Sequence, residues 1–161
     1  MTSAGNRLGT QPALFFKFGC EQMRIAVIDG QGGGFGKAII ENIRRSLGEG
    51  PFLMALGTNS LATSIMLKAG ANEGATGENA IVINAPETDF IVGSIAIIAA
   101  DSMCGELTPA MAKAVADAPA KKLLIPLSRS NIDIMGVNRK PLPHYIDDMI
   151  AFLKTADVQK E

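Results

Sequence analysis

The sequence predicts an α/β domain of three layers, with helices on both faces of a mainly parallel sheet of about five strands. Three observations carry that prediction. Short apolar runs alternate with amphipathic stretches, the pattern of strands joined by crossover helices. The first apolar run stops at a glycine-rich turn that opens straight into a helical pattern. The 161 residues show no interdomain linker, internal repeat or low-complexity tract, so they fit one domain burying roughly 70% of its unfolded surface.

Residues 1–22 read as a separate, poorly ordered extension. Its first eleven positions are mostly polar, and its apolar patch (Leu14, Phe15, Phe16, Phe18) is too short and too interrupted by Lys17 for a signal-peptide core. Met23 directly precedes the first strand and is itself a candidate start. That reading is preferred over a docking arm, because the extension carries no recognisable chemistry. The single domain is expected over residues 23–155, with a polar tail at 156–161.

Ile25 to Ile28 form the first strand, and Ile39, Ile40, Ile43 and Leu47 mark the first helix. After the turn Gly48-Glu49-Gly50-Pro51, Phe52 to Leu56 read as a buried strand ending at Gly57. Leu61, Ile65, Met66, Leu67 and Ala69 make the second helix, N-capped by Asn59 or Ser60 and closed by Gly70. Residues 71–79 form a second glycine-rich loop, and Thr76 is placed to cap a short helix through Ile81 to Asn84. Asp89 to Gly93 read as the third strand. Ile95 to Ala100, apolar on every side, read as a buried helix. Thr108-Pro109 is a helix start, with Met111, Ala112, Val115 and Ala118 on the inner face and Pro119 as the stop.

Lys121 to Leu127 supply the fourth strand. Ser128 to Ser130 turn the chain, and the alternating segment from Asn131 to Val137 suggests an antiparallel edge strand. Ile146, Met149, Ile150 and Leu153 form the stripe of the last helix. Right-handed crossovers place the first three strands as 3-2-1 with the fourth beyond the first, an order near 3-2-1-4-5. The ligand crevice then lies at the carboxyl ends of the first and fourth strands, faced by the first glycine loop, by Gly57 to Ser60 and by Gly93-Ser94.

Composition narrows the function. Apolar residues make up 47% and charged residues 19%, and the formal net charge is −1. With no basic stripe, a nucleic-acid partner is not expected. No uninterrupted apolar run reaches membrane-spanning length, so no membrane role is expected. Cys20 and Cys104 are too few and too unpatterned for a disulfide framework or a zinc site, which fits a reducing, cytoplasmic setting and no metal. A mean hydropathy of +0.21 in a chain this short points to apolar surface covered by further copies, a homo-oligomer.

The chemistry gathers between Asp29 and Lys37. Five of the seven residues after Asp29 are glycine: Gly30, Gly32, Gly33, Gly34 and Gly36, separated by Gln31 and Phe35. Glycine permits positive φ and close approach of backbone to a ligand. The helix start behind the loop offers unpaired N–H groups to an anion. Gly30, Gly34 and Gly36 fit the G-x-x-x-G-x-G spacing of short-chain dehydrogenases. Phe35 breaks the commoner G-x-G-x-x-G, and Gln31 and Ala38 break the Walker A pattern around Gly36-Lys37. The glycines exceed what tight packing alone needs, which favours a nucleotide or anion cradle with Lys37 as counter-charge.

The second strand ends in Gly57, Thr58, Asn59 and Ser60, where a nicotinamide site usually presents an acid to the ribose; this lowers the expectation of NAD(P). Asp101, Ser102, Cys104 and Glu106 bring acid, hydroxyl and thiol within six residues. A nucleophilic Cys104 needs a base, and the one histidine, His144, belongs to another element. Core packing is the commoner use of such a cysteine.

Three segments taken together, Ile25 to Gly34, Ala55 to Ser60 and Gly74 to Ala80, resemble a small bacterial family, found largely in anaerobes and catalogued as a domain of unknown function. The resemblance covers about Met23 to Leu153. It implies a Rossmann-like domain and brings no established reaction or catalytic residue.

The leading expectation is a protein that binds a nucleotide or phosphorylated metabolite. Asp29, Gly30, Gln31, Gly32, Gly33, Gly34, Phe35, Gly36 and Lys37 form the cradle, and Thr58, Asn59, Ser60, Gly93 and Ser94 face it. The alternative is a non-catalytic homo-oligomeric sensor or scaffold, favoured by the lack of an acid/base constellation. An NAD(P)-dependent oxidoreductase is weaker still, because Met149 stands where the Lys of a Tyr-x-x-x-Lys pair should follow Tyr145. Redox or acyl transfer through Cys104 is a further reading.

Overall fold

The computed structural model describes residues 22–127 and 131–158. The N-terminal extension, Cys20, the turn at Ser128 to Ser130 and the last residues of the tail lie outside that range. Five strands and five α-helices alternate: β1 (Arg24–Asp29), α1 (Gly34–Leu47), β2 (Phe52–Gly57), α2 (Ser60–Lys68), β3 (Glu73–Thr76), α3 (Glu78–Asn84), β4 (Phe90–Ser94), α4 (Pro109–Asp117), β5 (Lys121–Ile125) and α5 (Leu142–Val158). Short 3₁₀ turns occupy Ala85–Glu87 and Ile95–Ile98.

The sheet is parallel throughout and ordered β3-β2-β1-β4-β5. Its central strands are apolar on both faces, as a parallel sheet covered on both sides requires. Ile25 and Val27 point to one layer, where they meet Ile39, Ile40 and Ile43 of α1, Met66 of α2, and Ile146, Met149, Ile150 and Leu153 of α5. Ala26 and Ile28 point to the other, against Ile81 of α3, Ile97, Leu107, and Met111 and Val115 of α4. Each fully buried isoleucine contributes about 1.5–3 kcal/mol of transfer free energy.

The three-layer architecture and the 3-2-1-4-5 order agree with expectation, but two strands differ in identity. The outer place beside β2 is taken by Glu73–Thr76, read from sequence as loop. Its backbone pairs from Met54↔Glu73 to Gly57↔Thr76. The Thr63 hydroxyl holds it from α2, 2.6 Å from Thr76 Oγ1. Thr76 is therefore a strand residue, and the N-cap of α3 is Gly77, with no side-chain cap. Phe90–Ser94 lies on the other side of β1, paired from Ile25↔Phe90 to Val27↔Val92. The order in which the chain lays down strands thus reverses at β1, from β1-β2-β3 outward on one side to β4-β5 on the other, and the carboxyl ends of β1 and β4 flank the crevice.

The expected antiparallel edge strand does not form. Val137 N–H donates to Ile134 O (3.4 Å) and Gly136 sits at φ +82°, so a turn closes inside the alternating run. The expected helix at Ile95 to Ala100 shrinks to one 3₁₀ turn. Ser102 Oγ donates to Ala96 O (2.6 Å) and pulls the chain into a compact loop. Of the apolar residues that marked α2, Leu61 and Leu67 are 58% and 39% exposed, because the helix turns Ala62, Thr63 and Met66 inward. The expected caps hold at two helices: Asn59 Oδ1 accepts from Ala62 N–H (2.9 Å), and Thr108 Oγ1 accepts from Met111 N–H (3.2 Å). Among the described residues, no helix is long and apolar enough to cross a membrane.

Candidate functional site

Asp29 ends β1 and organises the loop that follows. Its buried carboxylate accepts from Gly30 N–H (Oδ1, 2.8 Å) and Gly36 N–H (Oδ2, 2.7 Å), so one side chain ties both ends of the turn. Burial pushes this carboxyl above its usual range, opposed by the loop N–H groups it accepts from and reinforced by the neighbouring charge of Glu106. Gly33 N–H closes the turn on Gly30 O (3.0 Å), and Lys37 N–H begins the helical ladder on Gly33 O (3.0 Å).

The five glycines divide by cause. A Cβ on Gly30 would stand 2.4 Å from Thr58 Oγ1 and 2.8 Å from Glu106 Oε2. On Gly33, at φ +70°, it would lie 2.7 Å from Ala62 Cα, and on Gly36 2.4 Å from Met66 Sδ. These three are needed for packing and turn geometry. Gly32 and Gly34 are not: an added Cβ meets nothing within 4 Å, and neither has a positive φ. Their N–H groups take no protein partner among the described residues.

A cleft of about 990 Å³ opens over this loop. Of the residues named from sequence, Asp29, Gly30, Gln31, Gly32, Gly33, Gly34, Phe35 and Ser94 line it, together with Ala96, Asp101, Ser102, Met103, Cys104 and Leu127. Lys37 is half exposed and lies 3.8 Å from Glu41, outside the lining. Gly36 packs under α2. Gly93 gives close passage to Ile97 and to Ile28 O, where a Cβ would approach to 2.8 and 2.9 Å. Ser94 Oγ accepts from Ala96 N–H (3.3 Å) and starts the 3₁₀ turn. Ser60 is exposed as the first residue of α2.

Thr58 and Asn59 face a residue that the sequence did not place at the site. Glu106 Oε2 accepts from Gln31 N–H (2.7 Å), Thr58 Oγ1 (2.6 Å) and Asn59 Nδ2 (2.9 Å), joining the glycine loop to the end of β2. The Thr58 hydroxyl does most to hold this carboxyl below its usual range, aided by Gln31 N–H and Asn59 and opposed by partial burial. Glu106 reaches this position from a turn in which Asp101 (φ 62°), Met103 (φ 56°) and Cys104 (φ 57°) are left-handed, as is Gly105 (φ 87°). Side chains seldom adopt that backbone, and it clusters where function demands it. The proximity of Asp101, Ser102 and Cys104 to Glu106 was legible; their handedness was not.

Cys104 is exposed with Sγ 3.7 Å from Gln31 Nε2, and His144 is exposed on α5 outside the cleft lining. Among the described residues no cluster of three or more His, Cys, Asp or Glu is arranged to hold a metal.

No curated protein and no solved structure matches the chain. A family model does, over residues 24–157, nearly the whole of the described structure. The chain accordingly belongs to the family described as Domain of unknown function (DUF3842).

Proposed function

We propose that this protein binds a nucleotide or phosphorylated metabolite in the cleft at the carboxyl ends of β1 and β4. The phosphate lies against the N–H groups of Gly32 and Gly34 at the start of α1. One observation carries the reading: these two glycines answer to neither packing nor backbone conformation, so close approach of a ligand is the remaining reason for a missing side chain. The reversal of strand order beside the cleft supports it. Asp29 acts from behind, holding the loop open in its cradle shape rather than touching the ligand.

A thermal-shift panel on the full chain tests this, with NAD(H), NADP(H), ATP, GTP, FMN and coenzyme A, each with and without magnesium. A ligand that binds only the folded state raises the midpoint with dose. Gly34→Val is expected to abolish that rise while melting like the parent. No response from any ligand by a folded protein removes the reading.

A second reading, a homo-oligomeric sensor or scaffold, is favoured by exposed apolar side chains in one stretch, Ile132, Ile134, Met135 and Val137, of which Met135 is 82% exposed. Sedimentation equilibrium decides it: a monomer at high concentration excludes it.

A further inference from the structure

We propose that Glu106 is the acceptor for the ribose of the bound ligand, and that the ligand is a ribonucleotide with a free 2′,3′-diol. This rests on the phosphate-cradle reading above. In an open parallel sheet whose first turn holds phosphate, the ribose falls beside the end of β2, where a carboxylate serves its hydroxyls. Here β2 runs out in Gly57, Thr58 and Asn59, with no acid of its own. Glu106 fills that place from a different part of the chain, 48 residues from Thr58.

The geometry suits an acceptor held for use. All three donors end on Oε2, and Oε1 takes no bond among the described residues, which leaves one oxygen to receive hydroxyls. The anchoring donors come from both sides, the glycine loop and the β2 end, so the carboxylate cannot swing away without breaking both contacts. Gly30 admits it, since a side chain there would collide with Oε2. The left-handed turn at Asp101, Met103 and Cys104 gives the chain the direction needed to bring Glu106 over β2, and Met103 and Cys104 themselves line the cleft.

Charge sets the preference. No Lys or Arg pairs with Glu106 among the described residues, so its negative charge is uncompensated by a cation. A diol brings two hydrogen-bond donors to such a group. A 2′-phosphate brings negative charge and no donor at neutral pH, and a 2′-deoxyribose brings one donor fewer.

Isothermal titration of the full chain with pyrophosphate, ADP, 2′-deoxy-ADP, NAD⁺ and NADP⁺ tests the assignment. ADP is expected to bind roughly tenfold or more tightly than 2′-deoxy-ADP, the effect of one hydrogen bond to a charged group. NAD⁺ is expected to exceed NADP⁺. Glu106→Gln should erase the 2′-hydroxyl preference and leave pyrophosphate affinity unchanged. Equal binding of ADP and 2′-deoxy-ADP by the unaltered protein overturns the assignment without any variant, while leaving the cradle standing. Tighter binding of pyrophosphate and every nucleotide to Glu106→Gln also overturns it, because Glu106 is then a competitor for the anion. Silence from all five ligands, pyrophosphate included, overturns the cradle and the assignment together.

Discussion

Replacing each glycine of the first loop by alanine separates packing from ligand approach. At Gly33 the new methyl meets the backbone of Ala62 at 2.7 Å, and the residue must hold φ +70°. The left-handed conformation costs about 1–2 kcal/mol, and overpacking against backbone that cannot swing aside adds about 1–3 kcal/mol. Gly30→Ala meets the Thr58 hydroxyl and Glu106 at once and should cost about 1–3 kcal/mol by overpacking. In Gly36→Ala the methyl meets Met66 Sδ at 2.4 Å inside the core and Asp29 Cβ at 3.0 Å, a cost of about 1–3 kcal/mol by overpacking, of which the gain in helix propensity of about 1 kcal/mol offsets part.

Gly32→Ala and Gly34→Ala meet nothing, so the reduced freedom of the unfolded chain should make each neutral or more stable by about 0.4–1 kcal/mol. Urea denaturation with an unchanged slope gives these differences directly. In a chain of this size each kcal/mol moves the melting midpoint by about 2–4 °C, so Gly33→Ala and Gly34→Ala should shift it in opposite directions. A Gly34→Ala variant as damaged as Gly33→Ala would refute the division of the loop into structural and ligand-facing glycines.

Further outcomes follow from the same geometry. Asp29 has a raised folded pKa, so its contribution is fully present below pH 3.8 and is lost as pH rises through the folded value. Stability of Asp29→Asn relative to the parent should therefore shift in the variant's favour over that rise, measured by urea titration. Glu106 has a lowered folded pKa, so its contribution is present above pH 4.5 and disappears as pH falls through the folded value; Glu106→Gln should flatten that acid limb in the same titration. Arg44 donates to Gly48 O, Pro51 O, Gly70 O and Asn72 Oδ1, fastening the α1–β2 and α2–β3 connections to α1, and Arg44→Lys should cost about 1–3 kcal/mol in chemical denaturation. Thr63→Val keeps the shape but loses the hydroxyl contacts to Asn59 O and Thr76, which should cost about 1 kcal/mol and raise amide exchange across β3.

The parts of the fold legible in the sequence are those where one local signal suffices. The apolar run of β1, the glycines after Asp29 and the stripe of α1 each announce themselves, as do Asn59 and Thr108 at their helix starts. β3 is silent because Glu73-Gly74-Ala75-Thr76 has no apolar alternation; its place is set by the backbone register of β2 and by Thr63 in another element. Asn131 to Val137 misleads in the other direction, since its alternation is genuine and the turn at Gly136 cancels it. At the site, loop residues Gly30 to Phe35 and Ser94 were legible and share the cleft. Glu106 was not, because its position depends on left-handed turns at Asp101, Met103 and Cys104, residue types that give no notice of that conformation.

The lining of the cleft has a consequence for the solution in which it works. Its charged members among the described residues are Asp29 and Asp101, with no Lys, Arg or His. On the proposed reading, an anion there is held by amide dipoles at contact distance while those two carboxylates oppose its approach from farther away. Dissolved salt weakens the distant repulsion, over a screening length of about 8 Å at physiological ionic strength, and leaves the contact attraction almost untouched. A lysine-lined phosphate site loosens as salt is added; this one is expected to hold steady or tighten. On that reading its affinity for the ligand is expected to be poorest in dilute buffer.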